Sequence, residues 1–162
     1  MILFQITQAL KSHLATRSTF INTFAADTLP RYPRLQKPAS YIVNLSTSKS
    51  KGSHWVCFFF PVHGLPEYFD TFALDVPFYF KDFIGQTYKL SNNIVQSPLT
   101  TTCGQHVIFY ILLRCLGMSM EQILTLYNQK DLLSNDIAVN NIINKTFGLK
   151  LPIINKQFLQ NL

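Results

Sequence analysis

Four side chains in this sequence have the types and spacing for acyl-transfer chemistry at a carbonyl: His54, Asp70, Gln96 and Cys103. Cys103 stands where a polar, turn-like run (Gln96-Ser97-Pro98, then Thr100-Thr101-Thr102) gives way to the apolar segment from Val107 to Met118. A buried helix is expected to begin there and to end near Gly117, with a new start signal at Ser119. A thiol at a helix N-terminus feels the positive end of the helix dipole and several unpaired backbone N–H groups, which favour the thiolate, the reactive form. A cysteine taken alone is more often an inert core thiol, so the partners decide the matter. A cysteine nucleophile needs a base, a group that orients the base, and donors for the oxyanion formed on attack. His54 opens a β-rich run, and Asp70 lies near the end of the next one. If those runs pair as a hairpin, one sheet edge presents both side chains. Gln96 precedes Cys103 by the length of a loop that folds back on itself. Its amide and the Cys103 N–H could then face one carbonyl oxygen.

The elements that must position these groups follow from local pattern. Ile6, Leu10 and Leu14 share a spacing of four, which predicts a short amphipathic helix over 4–14. Prolines 30, 33 and 38 make the stretch from Ala26 a loop that carries Arg31, Arg34 and Lys37. Strands are expected at 41–45, at 54–60 (apolar on both faces, hence central) and at 67–72, the last antiparallel to the second. A helix over 77–85 has Pro77 in its first position, and 94–96 reads as a strand fragment. Ser119 to Gln122 fits a capping box. Ser134-Asn135-Asp136 is expected to cap a last helix running to about Phe147, with Ile143 and Phe147 on one face. The tail from Leu149 to Leu162 favours no one structure. Helix, strands, then helices predict an α+β fold: a central mixed or antiparallel sheet packed against the buried helix that starts at Cys103, with further flanking helices.

Composition narrows the function classes. The length of 162 residues predicts one domain spanning 1–162, and with 48% hydrophobic and 14% aromatic residues a disordered chain is excluded. The net charge of +6 is partly grouped, at Arg31, Arg34, Lys37, Lys49 and Lys51. It permits weak, salt-sensitive contact with nucleic acid and is equally consistent with a solvated basic loop. Three irregularly spaced cysteines argue against a disulfide framework and for a reducing, intracellular compartment; Cys57 and Cys115 read as core thiols. No Cys/His cluster has zinc-site spacing, so no metal is expected. The N-terminus lacks signal-peptide features, and the apolar run ending at Leu116 is broken by Arg114 and too short for a membrane span. His13 and His63 receive no role. His106 lies three positions after Cys103 and suits a structural role better than a place in the cleft.

The chain order His54, Asp70, Gln96, Cys103, with the local settings His54-Trp55, Phe69-Asp70 and Cys103-Gly104, resembles the adenovirus-type cysteine proteases, and most closely the adenain-like proteases of Maverick/Polinton elements and related viruses. The wider group includes the ubiquitin-like-protein proteases. The likeness runs from about Phe20 to Phe147. It includes Ala26 to Pro30, Ile42-Val43-Asn44, Gly52 to Val56, Glu67 to Phe72 and Asn135-Asp136, none specific alone. It implies that Cys103 is the nucleophile, His54 its base and acid, Asp70 the group orienting His54, Gln96 the oxyanion donor and Trp55 a wall of the substrate cleft. It also implies extended peptide substrates with small residues, commonly glycine, near the cut. Such a role would mature viral or transposon-encoded capsid precursors in a host nucleus or an assembling virion. The sequence requires no cofactor; an activating peptide or DNA is compatible with the resemblance. Gly85 and Gln86 stand where adenovirus proteases carry a peptide-capturing cysteine, so no covalent disulfide activator is expected. Ala73 replaces a glycine frequent in the family after the Asp-Thr-Phe triplet.

Other functions compete. An isopeptidase acting on ubiquitin-like proteins would use the same residues, and an acyltransferase could. A non-catalytic basic module that binds nucleic acid or a capsid explains the charge but leaves the ordered quartet a coincidence.

Overall fold

The computed structural model describes residues 3–154. Helix α1 (Leu3–Ser12) precedes strands β1 (Phe20–Ala25), β2 (Ala39–Asn44), β3 (Trp55–Phe60) and β4 (Glu67–Phe69). A 3-10 turn at Phe78–Phe80 runs into the single-turn helix α2 (Lys81–Ile84), and β5 (Lys89–Leu90) follows. Helices α3 (Cys103–Cys115), α4 (Met120–Leu124) and α5 (Leu132–Phe147) complete the fold. The five strands lie in sequence order in one mixed sheet. Pairs β1/β2 and β4/β5 are parallel, whereas β2/β3 and β3/β4 are antiparallel. The fold is α+β, with α3 packed on the sheet.

Strand β3 is apolar at every position because both of its faces are covered. Trp55, Cys57 and Phe59 join Ile42 and Phe69 against Val107, Ile108 and Ile111 of α3. Val56, Phe58 and Phe60 join Tyr41 and Tyr68 on the other face, against Phe80, Phe83 and Ile84. On that second face the rings meet edge-on, Phe58 with both Phe80 and Phe83.

Arg114, which interrupts the apolar run of α3, has a buried partner. Its Nε donates to Glu67 Oε2 at 2.8 Å and its Nη2 to Oε1 at 3.1 Å, while the Tyr110 hydroxyl also donates to Glu67. The cluster ties β4 to the last turns of α3. Arg114→Ala leaves the Glu67 carboxylate buried without its counter-charge, and is expected to lower stability by about 3 kcal/mol in urea unfolding. A loss below about 1 kcal/mol would mean that the pair behaves like a surface ion pair.

Several elements differ from the sequence expectation. Helix α1 ends at Ser12, and Leu14 is 75% exposed rather than on its buried face. The third strand stops at Phe69 because the Asp70 side chain accepts the Phe72 N–H at 2.7 Å and bends the chain into a turn. Pro77 is not the first helical residue: it precedes the 3-10 turn with an extended ψ of 139°. Residues 94–96 form no strand. The Val95 N–H donates to the Thr71 carbonyl without a ladder, and the short fifth strand lies earlier, at Lys89–Leu90. The Ser119 capping box is complete, each partner bonding the other's backbone. The last helix is capped by Asp131, whose carboxylate accepts the Ser134 N–H at 3.0 Å, so Ser134, Asn135 and Asp136 lie inside α5 and not at its cap. Of the tail, Leu151 is buried and exchanges two hydrogen bonds with the Asn144 side chain; residues 155–162 lie outside the described segment. Among the described residues no helix is long and apolar enough to cross a membrane.

Candidate active site

His54 immediately precedes β3 and Asp70 immediately follows β4, so the antiparallel pairing brings both to one sheet edge. The register Cys57↔Phe69 and Phe58↔Tyr68, continued outward, sets position 54 diagonally across from Asp70. His54 Nε2 lies 3.0 Å from Asp70 Oδ1. The Asp70 side chain is fully buried and that of His54 is 16% exposed. The same Oδ1 accepts the Phe72 N–H, and the Phe72 ring stands 5.2 Å from the imidazole, fixing its tilt.

Cys103 interacts with the same imidazole, and with Nε2 held by the carboxylate, Nδ1 is left for a second partner. Burial pulls the His54 pKa down, but the interactions with Asp70 and Cys103 outweigh it and raise the pKa from 6.5 to about 9. His54 is therefore imidazolium at neutral pH, flanked by a carboxylate and a sulfur. Three of the four residues that sequence reasoning brought forward thus stand in one chain of contacts.

Cys103 is the first residue of α3 and only 8% exposed. The first bond that closes the helix runs from the His106 N–H to the Thr102 carbonyl at 3.1 Å. The amides of residues 103–105 precede it and have no acceptor within the helix, so they present a positive partial charge beside the sulfur.

Gln96 lies on the loop leading to Cys103 and is buried. Its Oε1 accepts the Thr71 hydroxyl at 2.7 Å and its Nε2 donates to the Thr100 carbonyl at 3.2 Å, an acceptor-only group that fixes which end of the amide is nitrogen. Gln96 thus bridges the residue after Asp70 and the third residue before Cys103. One N–H of its amide is left for a further acceptor. Trp55 sits on the core face of β3 in the same apolar cluster as Cys103 and is 8% exposed.

Sequence reasoning missed the residues that hold these groups from behind. The buried Ser91 hydroxyl accepts the Asp70 N–H at 3.0 Å and donates to the Asp70 carbonyl at 2.9 Å, clamping the backbone that aims the carboxylate. Thr71 does the corresponding work for Gln96. A threonine inside an aromatic run, and a serine next to a strand, were the available signals, and neither specifies a partner. Ala73 closes the turn after Asp70 with a φ of 56°, a left-handed conformation that glycine adopts without strain and alanine does not. The backbone beside the site therefore keeps the geometry of a glycine turn at the position where the resemblance leads one to expect glycine.

The remaining candidates lie elsewhere. Arg34, Lys37, Lys49 and Lys51 are exposed, and Arg31 pairs with Asp82 at 3.5 Å. His63 is exposed and His13 packs against Phe147. Cys57 is buried in the core and Cys115 half-buried against it; burial raises the pKa of both thiols.

No family model and no curated protein matches the chain. Among solved structures it is similar to the crystal structure of the selenomethionine form of the ASFV pS273R protease, at 20% identity and a TM-score of 0.47. That match covers 70% of this chain and 45% of the other, so the chain spans less than half the length of that protein.

Proposed function

We propose that this chain is a cysteine endopeptidase that cuts extended peptide segments carrying small residues, glycine above all, next to the scissile bond. The observation that supports this reading is one imidazole bonded to a buried carboxylate and interacting with the cysteine that opens a helix. In this reading His54 already holds the proton of Cys103 as imidazolium, and the Cys103 thiolate attacks the carbonyl carbon. The oxyanion that forms is held by the Cys103 N–H and the amide of Gln96. Collapse breaks the C–N bond, and His54 returns its proton to the leaving amine. Water, deprotonated by His54, then opens the thioester and frees the carboxylic acid. Asp70 keeps the ring oriented and stabilises the imidazolium throughout.

Glycine near the cut suits a site whose nucleophile is nearly enclosed, because substrate backbone can approach only where side chains are small. Maturation of viral or transposon-encoded precursors is the biological setting that the sequence resemblance implies. Weak nucleic-acid contact through the exposed basic loops, and activation by a peptide or DNA, belong to the same proposal. The test is cleavage of a glycine-containing peptide library by the wild-type chain, with and without added DNA, against Cys103→Ala. Equal turnover by both would defeat the reading. Labelling of Cys103 by a ubiquitin-like vinyl sulfone in preference to a peptide probe would transfer the same chemistry to an isopeptidase.

A further inference from the structure

Behind the loop that carries Gln96 lies a second buried His–Asp pair. Asp136 and His106 are both fully buried. Asp136 Oδ2 accepts the Ser97 N–H at 3.0 Å and the Thr100 hydroxyl at 2.8 Å. Its Oδ1 accepts the Thr102 hydroxyl at 2.8 Å and lies 2.7 Å from His106 Nε2. Burial lowers the His106 pKa despite the opposing pull of Asp136, so the ring is neutral: Nε2–H donates to the carboxylate and Nδ1 accepts the Tyr127 hydroxyl at 3.2 Å. With four donors the carboxylate is saturated. The neighbouring Asn135 donates to the Val95 carbonyl at 3.1 Å. Two consecutive residues of α5 therefore grip the backbone on either side of Gln96, and the second also holds Thr100 and Thr102.

We infer that Asn135 and Asp136 are positioning residues that set the oxyanion side of the site by fixing the 95–102 loop, independently of the pairing of His54 with Cys103. The inference rests on the protease reading. A buried carboxylate whose four partners span 97–106 is more than is needed to dock α5, which already packs Val139 and Ile143 into the core. The division of labour follows from the contacts. His54 is placed by β3, Asp70 and Phe72, whereas Asp136 bonds Ser97, Thr100, Thr102 and His106. The Gln96 amide hangs from Thr71 at one end and from the Thr100 carbonyl at the other, and the Thr100 hydroxyl hangs from Asp136.

The experiment compares the full chain with Thr100→Val, Asp136→Asn and Asp136→Ala. It uses three readouts: steady-state peptide cleavage, inhibition by a glycine-ending peptide aldehyde, whose adduct with sulfur carries an oxyanion-like oxygen, and alkylation of Cys103 by iodoacetamide, which forms no oxyanion. The expected result is that kcat and aldehyde affinity fall together by about 10- to 100-fold, with KM and the alkylation rate changed by no more than about threefold. Asp136→Asn should retain more activity than Asp136→Ala. Its oxygen can keep the Ser97 N–H, while the Thr102 hydroxyl can rotate and His106 can change tautomer to accept from its NH2. Combined with Gln96→Ala, Thr100→Val should add less than its own single effect. An alkylation rate that falls in step with kcat would mean general collapse of the site and overturn the inference, as would unchanged kcat and aldehyde affinity. Thr100→Val keeps the test decisive if Asp136→Ala fails to fold. A wild-type chain inert to both peptides and aldehydes would overturn the protease reading and this inference with it. An active wild type with unaffected variants overturns only the inference.

Discussion

Cys103→Ala is expected to cut peptide turnover by at least about 10⁴-fold, leaving only the residual rate that binding and an oxyanion hole provide without a nucleophile. The sulfur contributes one polarizable atom to a core that also contains Trp55, Val95 and Val107, so its loss removes little packing. The thermal midpoint should therefore shift by only a few degrees, which separates lost chemistry from lost fold. Substrate should still bind, because the walls of the site are unchanged, and a catalytically dead chain that captures an intact glycine-containing peptide would be the useful by-product. His54→Ala should lower the iodoacetamide alkylation rate of Cys103 at pH 7 by about tenfold or more, since the imidazole that takes the thiol proton is gone. If alkylation proceeds equally with and without His54, the contact between them has no chemical consequence and the non-catalytic reading gains.

The second large effect belongs to Asp70. Asp70→Ala or Asp70→Asn is expected to reduce kcat by about 10²- to 10⁴-fold with a much smaller change in KM, because the ring then loses its orientation and the imidazolium its counter-charge. The same substitution should be visible in the titration of His54 by NMR. In the wild type burial opposes the charged form, but the interactions with Asp70 and Cys103 prevail and raise the pKa to about 9. Without Asp70 the opposing burial is less well balanced, and the midpoint must fall. The sign of the accompanying stability change follows from linkage. A pKa raised from 6.5 in the unfolded chain to about 9 in the folded one stabilises the fold fully below pH 6.5. That contribution declines as pH rises and is gone above about 9. Denaturation of wild type and Asp70→Ala across pH 6 to 10 should show the wild-type advantage shrinking over this window. A difference that stays constant through it would show that Asp70 serves only the Phe72 turn and Ser91 clamp.

The two His–Asp pairs of this molecule make an instructive contrast. His54 is partly open to solvent and interacts with Cys103 as well as Asp70, and its pKa is raised. His106 is fully enclosed with a neutral tyrosine hydroxyl on its second nitrogen, and its pKa is lowered. The same pairing of residue types therefore yields a cation in one place and a neutral hydrogen-bonding hub in the other. What differs is the balance between desolvation and the charges available nearby.

Features that depend on near neighbours in the chain were legible in the residues themselves. The junction at Cys103 marks a helix start, the capping box at Ser119 marks another, and the unbroken apolar run of β3 marks a central strand. The phase of His54 and Asp70 could be read because a hairpin with a short turn leaves little freedom of register. Where local signals competed, reading them failed: Asp131 and Ser134 are both good helix caps, and only packing of Val139 and Ile143 against α3 selects the earlier one. That choice of one turn moved Asn135 and Asp136 from a supposed cap to the face that grips the Gln96 loop. Nothing within a few residues of Asp136 announces that its partners are Ser97, Thr100, Thr102 and His106, between 30 and 39 positions away. The chain thus determined by itself which residues could do chemistry and which elements would carry them. The tertiary structure alone decided which polar groups would be buried together, because the cost of burying a carboxylate is met only by donors that folding brings from elsewhere.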